Sequence, residues 1–235
     1  MIDISVVINF HKEGRLARFA IESALQSIDQ ASRHGLKTEL IAVLDFPDEA
    51  TIKEVKTFQQ HFSKIEKVDY KDLSYSRNHA VPHASGKVIA FLDGDDLWGD
   101  EWLWRAYKDF LKGVKTTIYH PEINIHFDQM NNLTFQTDMR DPRFELDYFR
   151  LRNYWNSMCL AAKDVFLRVP YIKNDLANGF GYEDWLWNCD TIAQGFDHHI
   201  VKETCHLIRV KDQDSLLVKT KESGCIVAPS NLFKI

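Results

Sequence analysis

Short apolar runs alternate with amphipathic stretches through the first half of the chain. Residues 4–8, ISVVI, form a β-branched run that breaks at Asn9 and predicts a buried strand. From about Glu13 to His34 the spacing becomes helical, with Leu16, Phe19, Ala20, Ser23 and Ala24 on one face and Gly35 as the stop. Residues 39–44, ELIAVL, predict a second strand ending at Asp45; Ile52, Val55, Phe58 and Phe62 then recur at helical spacing. A weaker strand over 65–69 leads into LSYSRNHAVPHASG, read as a helix with Ser74 as cap and Gly86 as stop. Pro82 fits that helix only near its first turn, or else kinks it. A strand over 87–92 and an aromatic helix over about 100–112, closed by Gly113, complete the series.

This alternation of strand and helix predicts an α/β fold: a Rossmann-type, mostly parallel sheet with helices on both faces. The unbroken apolar runs at 4–8, 40–44 and 88–92 fit strands buried on both sides. Beyond about residue 115 the rhythm changes. TTIYH, INIHF and LTFQT follow one another closely and predict a mixed or antiparallel C-terminal extension. FELDYFRLRNYW reads as a helix, SMCLAA as a strand, and YEDWLWNCDTIAQG as a helix ending at Gly195. No internal repeat, low-complexity tract or linker interrupts the chain, which reads as one domain with an elaborated second half.

Composition narrows the function. At 235 residues, 45% hydrophobic and 12% aromatic, the chain can bury a substantial core. A net charge of −5 with no basic run argues against a nucleic-acid surface. No apolar stretch approaches the roughly 20 residues needed to cross a bilayer, and the first ten residues do not read as a signal peptide. Cys159, Cys189, Cys205 and Cys225 contain no C-x-x-C pair, so they suggest neither a zinc site nor a disulfide framework. A cytoplasmic location is the expectation.

The unusual feature is KVIAFLDGDD at 87–96, where a buried strand ends on Asp93, Asp95 and Asp96 with no cation following until Arg105. In parallel α/β sheets ligands bind beyond the carboxyl ends of the strands. Oxygens gathered there suit Mg²⁺ or Mn²⁺, which typically uses one or two carboxylates together with substrate phosphates. Solvated aspartates capping the next helix are the plainer alternative.

Taken in order, VVINFHKEGRLARFAIESAL, LIAVLDFPDEAT, LSYSRNHAVPHASGKVIAFLDGDDLW and GFGYEDWLW resemble glycosyltransferase family 2, the inverting nucleotide-sugar transferases of GT-A fold. The resemblance is dense over 3–112 and looser over 150–210. It implies a nucleotide-sugar-binding half (1–112) and an acceptor-binding half (113–235) of one glycosyltransferase domain, which is either the whole protein or a piece of a longer one. It also implies nucleotide contacts from Asn9, His11, Asp45, Arg77 and Asp93, a metal ligand in Asp95, and a sugar-side group in Asp96. Asp184, with Glu183 beside it, matches the catalytic base. Leu44 replaces the first of the family's paired aspartates, and Phe46-Pro47 replaces its Gly-Ser. Trp155, Trp185 and Trp187 flank the base and are acceptor candidates. Trp98, Trp102 and Trp104 read either as a sugar platform or, for at least two of them, as core. His206, Arg209 and Lys211 in CHLIRVKDQDSL are candidates for the diphosphate.

The chemistry implied is sugar transfer from a nucleotide donor, a UDP-sugar by resemblance, to a glycan or lipid-linked acceptor. A lipid-linked acceptor would bring the chain to the cytoplasmic face of a membrane, and further domains or a homo-oligomer are compatible. Loss of a nucleoside diphosphate needs positive charge, supplied by Mn²⁺ or Mg²⁺ and Arg77, and inversion needs one base on the opposite ring face. For Asp184 two influences compete: a helix N-terminus lowers a carboxyl pKa, whereas burial raises it. Acidic residues at 183 and 184 also suit an ordinary helix start. The rival from a different class is a non-catalytic GT-A-like domain that binds a nucleotide sugar or a partner. An aspartate phosphatase is discounted because its Asp-x-Asp follows the first strand, and a nucleotidyltransferase because no glycine-rich loop follows strand one.

Overall fold

The computed structural model describes residues 1–213 and 215–233, so Asp214 of the quoted C-terminal stretch and the last two positions lie outside it. The first half follows the apolar pattern closely. Strand β1 (Ile4–Phe10), helix α1 (Leu16–Arg33), β2 (Thr38–Asp45), α2 (Glu49–Thr57), β3 (Lys64–Val68), α3 (Leu73–His83) and β4 (Val88–Asp93) alternate as expected. A two-residue strand, β5 (Leu97–Trp98), then precedes α4 (Trp102–Lys112). The second half adds β6 (Thr117–Asp128), β7 (Asn132–Phe135), β8 (Leu160–Ala162), α5 (Lys163–Arg168), β9 (Phe180–Gly181), α6 (Glu183–Ala193), β10 (Asp197–Val210), α7 (Leu216–Glu222) and β11 (Ile226–Val227).

One sheet runs in the order β3-β2-β1-β4-β8-β6-β10-β5, with β7 paired to β6, and β9 and β11 form a separate small ribbon. Pairing is parallel among β1, β2, β3 and β4 and again between β6 and β10; β8 is antiparallel to both β4 and β6. The result is the mixed sheet of a GT-A-like fold. Because alternate side chains face opposite sides, Val6, Ile8, Leu40, Ala42, Ala90 and Leu92 pack with residues of α1 and α4. Val7, Ile41, Val43, Ile89 and Phe91 pack on the other face with residues of α3, α5 and α6.

Several local expectations change. Phe19 is half exposed; apart from Ile21, the buried face of α1 carries Ala17, Ala20, Ser23, Ala24, Ser27 and Ala31, small residues that let the helix approach the sheet. Asp72, not Ser74, caps α3 by accepting from Tyr75 N, while Ser74 Oγ donates to the Ile172 carbonyl. Pro82 lies in the last turn of α3 and not the first; without an N–H it cannot donate to the Asn78 carbonyl four residues back, and the helix ends one residue later, at His83. The predicted strands within 116–127 fuse into β6 through Pro121, which the pairing tolerates because the β6–β10 register breaks just past its partner Val201.

The helix expected over 144–155 is absent; only a 3-10 turn at Tyr148–Arg150 remains. Asn153 and Asn156 accept from nearby backbone N–H groups, which competes with helical pairing, and the aromatic residues are drawn into a separate core with Cys189 and Ile200. Among the described residues no helix is long and apolar enough to cross a membrane.

Candidate active site

The carboxyl ends of β1, β2 and β4 lie side by side, with Asn9 in register with Asp93 and Val43. Asn9 is 4% exposed, and neither its Oδ1 nor its Nδ2 has a hydrogen-bond partner. Gly94 turns the chain directly against β1: a Cβ there would lie 2.7 Å from Phe10 Cδ1 and 2.9 Å from the Asn9 carbonyl. The tight packing brings the acidic turn 93–96 against the first βα loop.

Each expected contact has a definite setting. Asp45 is buried and accepts from the backbone N–H groups of Tyr70 (2.7 Å), Lys71 (2.9 Å) and Asp72 (2.9 Å) and from the Ser76 hydroxyl (2.8 Å). It therefore anchors the loop between β3 and α3, which corrects the expectation of a carboxylate free for a nucleobase. His11 is exposed, its Nδ1 2.6 Å from the Asp45 carbonyl and its ring stacked near Phe46 at 6.2 Å. Phe46 has a positive φ of 50°, and the Lys12 and Lys71 ammonium groups lie 4.7 and 4.2 Å from its ring centroid.

Arg77 is the principal correction in the donor half. Its guanidinium is 1% exposed, with Nη2 donating to both oxygens of Asp93 (2.9 and 3.1 Å) and Nη1 to Glu183 Oε1 (3.2 Å). It lies over the Tyr171 ring at 5.2 Å. Burial opposes its charge, but Asp93, Tyr171 and Glu183 more than offset that and raise its pKa. Arg77 thus clamps the acidic turn to the start of α6 instead of facing a ligand.

Glu183 is held at both ends, since Asn174 donates to its other oxygen at 3.0 Å. Asp184 is bound more loosely, accepting from Asn153 Nδ2 at 3.2 Å and from Trp185 N at 2.8 Å. Burial, and then the Glu183 charge, push its carboxyl up to about 7. Tyr182, in the left-handed region at φ 61°, turns the chain into the helix here. Trp185 is half-buried beside Asp184 and donates to the Phe149 carbonyl.

Two expected aromatic platforms are core. Trp155 is 2% exposed and stacks on His198 at 4.2 Å; Trp187 is 1% exposed and stacks on Tyr171 at 4.8 Å. Trp98 and Trp102 are buried too, whereas Trp104 stacks on His34 at 3.8 Å. His206 is fully buried against Trp98 and Trp102, and desolvation lowers its pKa to about 3, so it is a neutral core residue and not a diphosphate contact.

Arg209 and Lys211 do reach the acidic turn. Lys211 Nζ is 2.6 Å from Asp95 Oδ2, an ion pair by distance whose approach lies off the hydrogen-bond direction. Arg209 Nη1 is 3.6 Å from the same oxygen, and Arg209 N donates to Asp96 Oδ1 at 2.7 Å. Desolvation, then the charges of Asp95 and Asp93, raise the Asp96 pKa well above the usual range. A further carboxyl, missed in the sequence, joins the group: Glu13 accepts from His11 N at 2.6 Å, and burial followed by the Asp95 charge pushes its pKa up to about 7. Its signal was its place in the first βα loop of a parallel sheet.

A resident divalent ion needs open oxygen ligands. Here Asp93 is engaged by Arg77, Asp95 by Lys211, and Asp96 by the Arg209 backbone. The donor set as folded does not fit such an ion.

The sequence profile described as Glycosyl transferase family 2 matches residues 5–169, well over half of the chain. This chain belongs to glycosyl transferase family 2. It is 33% identical over 98 residues to the protein of Bacillus subtilis (strain 168) named "Putative glycosyltransferase EpsE", covering 40% of this chain and 33% of EpsE. The fold is similar to S. aureus TarS 1–349 in complex with UDP-GlcNAc: TM-score 0.73 at 11% identity, covering 92% of this chain and 61% of that one. The longer TarS structure matches at TM-score 0.67 and 13% identity, over 89% of this chain and 37% of TarS. The chain thus spans about a third of EpsE and about three-fifths of the TarS 1–349 chain.

Proposed function

We propose that this family 2 domain is an inverting glycosyltransferase that moves a sugar from a nucleoside-diphosphate donor to a hydroxyl acceptor. The observation that carries this reading is the Arg77 clamp, which ties the acidic turn after β4 to the Glu183-Asp184 pair that opens α6. The donor half comprises Asn9, His11, Phe46 and the Asp93–Asp96 turn, and a UDP-sugar is the donor by likeness to TarS, whose structures hold UDP-GlcNAc and UDP. In the reaction the acceptor oxygen attacks the anomeric carbon, Asp184 takes its proton, and the bond to the diphosphate breaks with both electrons leaving on the nucleotide. A carboxyl raised to about 7 suits that role, because it is both available as a base and basic enough to pull the proton.

The acceptor is a glycan or lipid-linked hydroxyl bound beside Trp185, in polysaccharide or glycoconjugate synthesis, with 113–235 as the acceptor half of a single domain. A cytoplasmic setting is part of the reading, supported by four unpaired cysteines. The Mn²⁺ or Mg²⁺ that the family resemblance implies takes no step in it, given the donor set.

Thermal stability against UDP, GDP, CDP, ADP and dTDP tests this function. Ligand at about 100 times its dissociation constant adds roughly 2.7 kcal/mol, so one base should raise the melting temperature by several degrees. That shift should vanish in Asp93→Ala, and the sugar nucleotide of the same base should support transfer. Folded protein that responds to none of the five would instead indicate a partner-binding domain.

A further inference from the structure

We propose that Lys211 and Arg209 supply the positive charge at the donor site, so that this chain binds its nucleoside diphosphate without a divalent ion; the inference rests on the donor site proposed above. The placement of these cations follows from sheet register and not from a free-swinging side chain. Strand β10 pairs with β5, His206 opposite Trp98 and Leu207 opposite Leu97, and β5 begins one residue after the acidic turn. Two residues further along β10, the Arg209 backbone N–H is fixed on Asp96 and its Nε on Asp128 at 2.7 Å. Lys211, the first residue past β10, is thereby delivered to Asp95, itself only 12% exposed.

A divalent ion on Asp95 would have to displace an ammonium group whose neighbour Arg209 is anchored, and would meet two like charges on arrival. A diphosphate has the opposite effect. Lysine carries three N–H donors and no acceptor, so Lys211 can keep Asp95 and still donate to a phosphate oxygen. Arg209 adds a planar array of donors 3.6 Å from the same carboxylate. In register beside Asp93, Asn9 offers a buried amide with no partner, a second feature of this edge that calls for a ligand. As the glycosidic bond breaks, the charge growing on the departing diphosphate then meets fixed cations of the chain itself.

Calorimetric titration with the five nucleoside diphosphates, once in excess EDTA and once in Mn²⁺, tests this on wild type, Lys211→Ala and Lys211→Arg. The expected result is binding in EDTA within a few-fold of that in Mn²⁺. Lys211→Ala should weaken it on the order of 10-fold, and Lys211→Arg should recover part of the loss. Circular dichroism establishes that the variants are folded; Lys211 is one-quarter exposed, so its truncation spares the core. Binding seen only with Mn²⁺ overturns the inference and leaves the proposed function standing. Metal-free binding that is indifferent to Lys211→Ala overturns the role of this lysine. No binding under either condition removes both proposals.

Discussion

Asp184 stands at the first turn of α6, where the helix dipole favours a charged carboxylate, yet its pKa rises to about 7 because desolvation and Glu183 outweigh that field. The consequence for activity is an acid limb: kcat/KM should rise with pH and level off above about 7, falling roughly tenfold per unit below it. Asp184→Asn should lower kcat by about 10²- to 10⁴-fold. Stability should move the other way. A carboxyl whose folded pKa is raised keeps its proton where the unfolded chain has lost it, so its penalty grows from about pH 4 to 7 and is complete above 7. At pH 8, therefore, Asp184→Asn should melt no lower than wild type, which separates a lost base from a lost fold. The place of this residue at the head of a helix was legible from the ED motif; its ionisation was not, because it depends on what packs around it.

At the scale of elements, the decisive object is the junction of α3, β4 and α6 made by Arg77. Its partners are separated from it by 16 and 106 residues, so no local pattern announces the clamp. Arg77→Leu would leave Asp93 and Glu183 without their cation, and unfolding in urea should show a loss of about 3–5 kcal/mol. Arg77→Lys should recover only part of this, since one ammonium cannot reproduce a bidentate contact with Asp93 and a third bond to Glu183. The elements themselves were largely readable where burial is two-sided, as in β1, β2 and β4, because continuous apolar runs leave little choice of structure. The 144–155 segment misled for the converse reason. Its aromatic spacing is helical, but Phe149 and Trp155 are buried in a tertiary cluster that does not need a helix to present them.

Across the whole molecule, burial of histidine makes the fold sensitive to acid. His120 and His198 lie 2.9 Å apart, His198 also meets Thr191 Oγ1, and His206 is enclosed by tryptophans. Desolvation depresses all three, to about 3 for His198 and His206. The unfolded chain therefore takes up protons on these histidines below about pH 6.5 that the folded chain refuses, and their share of the stability falls from there toward pH 3. The raised carboxyls of Asp184, Glu13 and Asp96 oppose this over the same range, so the histidine contribution is read from the difference between a variant and wild type. Between about pH 6.5 and 4, His206→Leu should gain melting temperature relative to wild type, the difference in slope amounting to one proton. From the sequence alone came the strand–helix alternation, the exclusion of a membrane-spanning stretch, and the acidic turn at a strand's carboxyl end, because each is written in neighbouring residues. Only the tertiary structure decided that Arg77 and Asp45 face inward, that Trp155 and His206 are core, and that Lys211 meets Asp95. Those outcomes depend on which distant strands pair and in what register, and the energy of a buried charge is set by partners that the chain brings together only on folding.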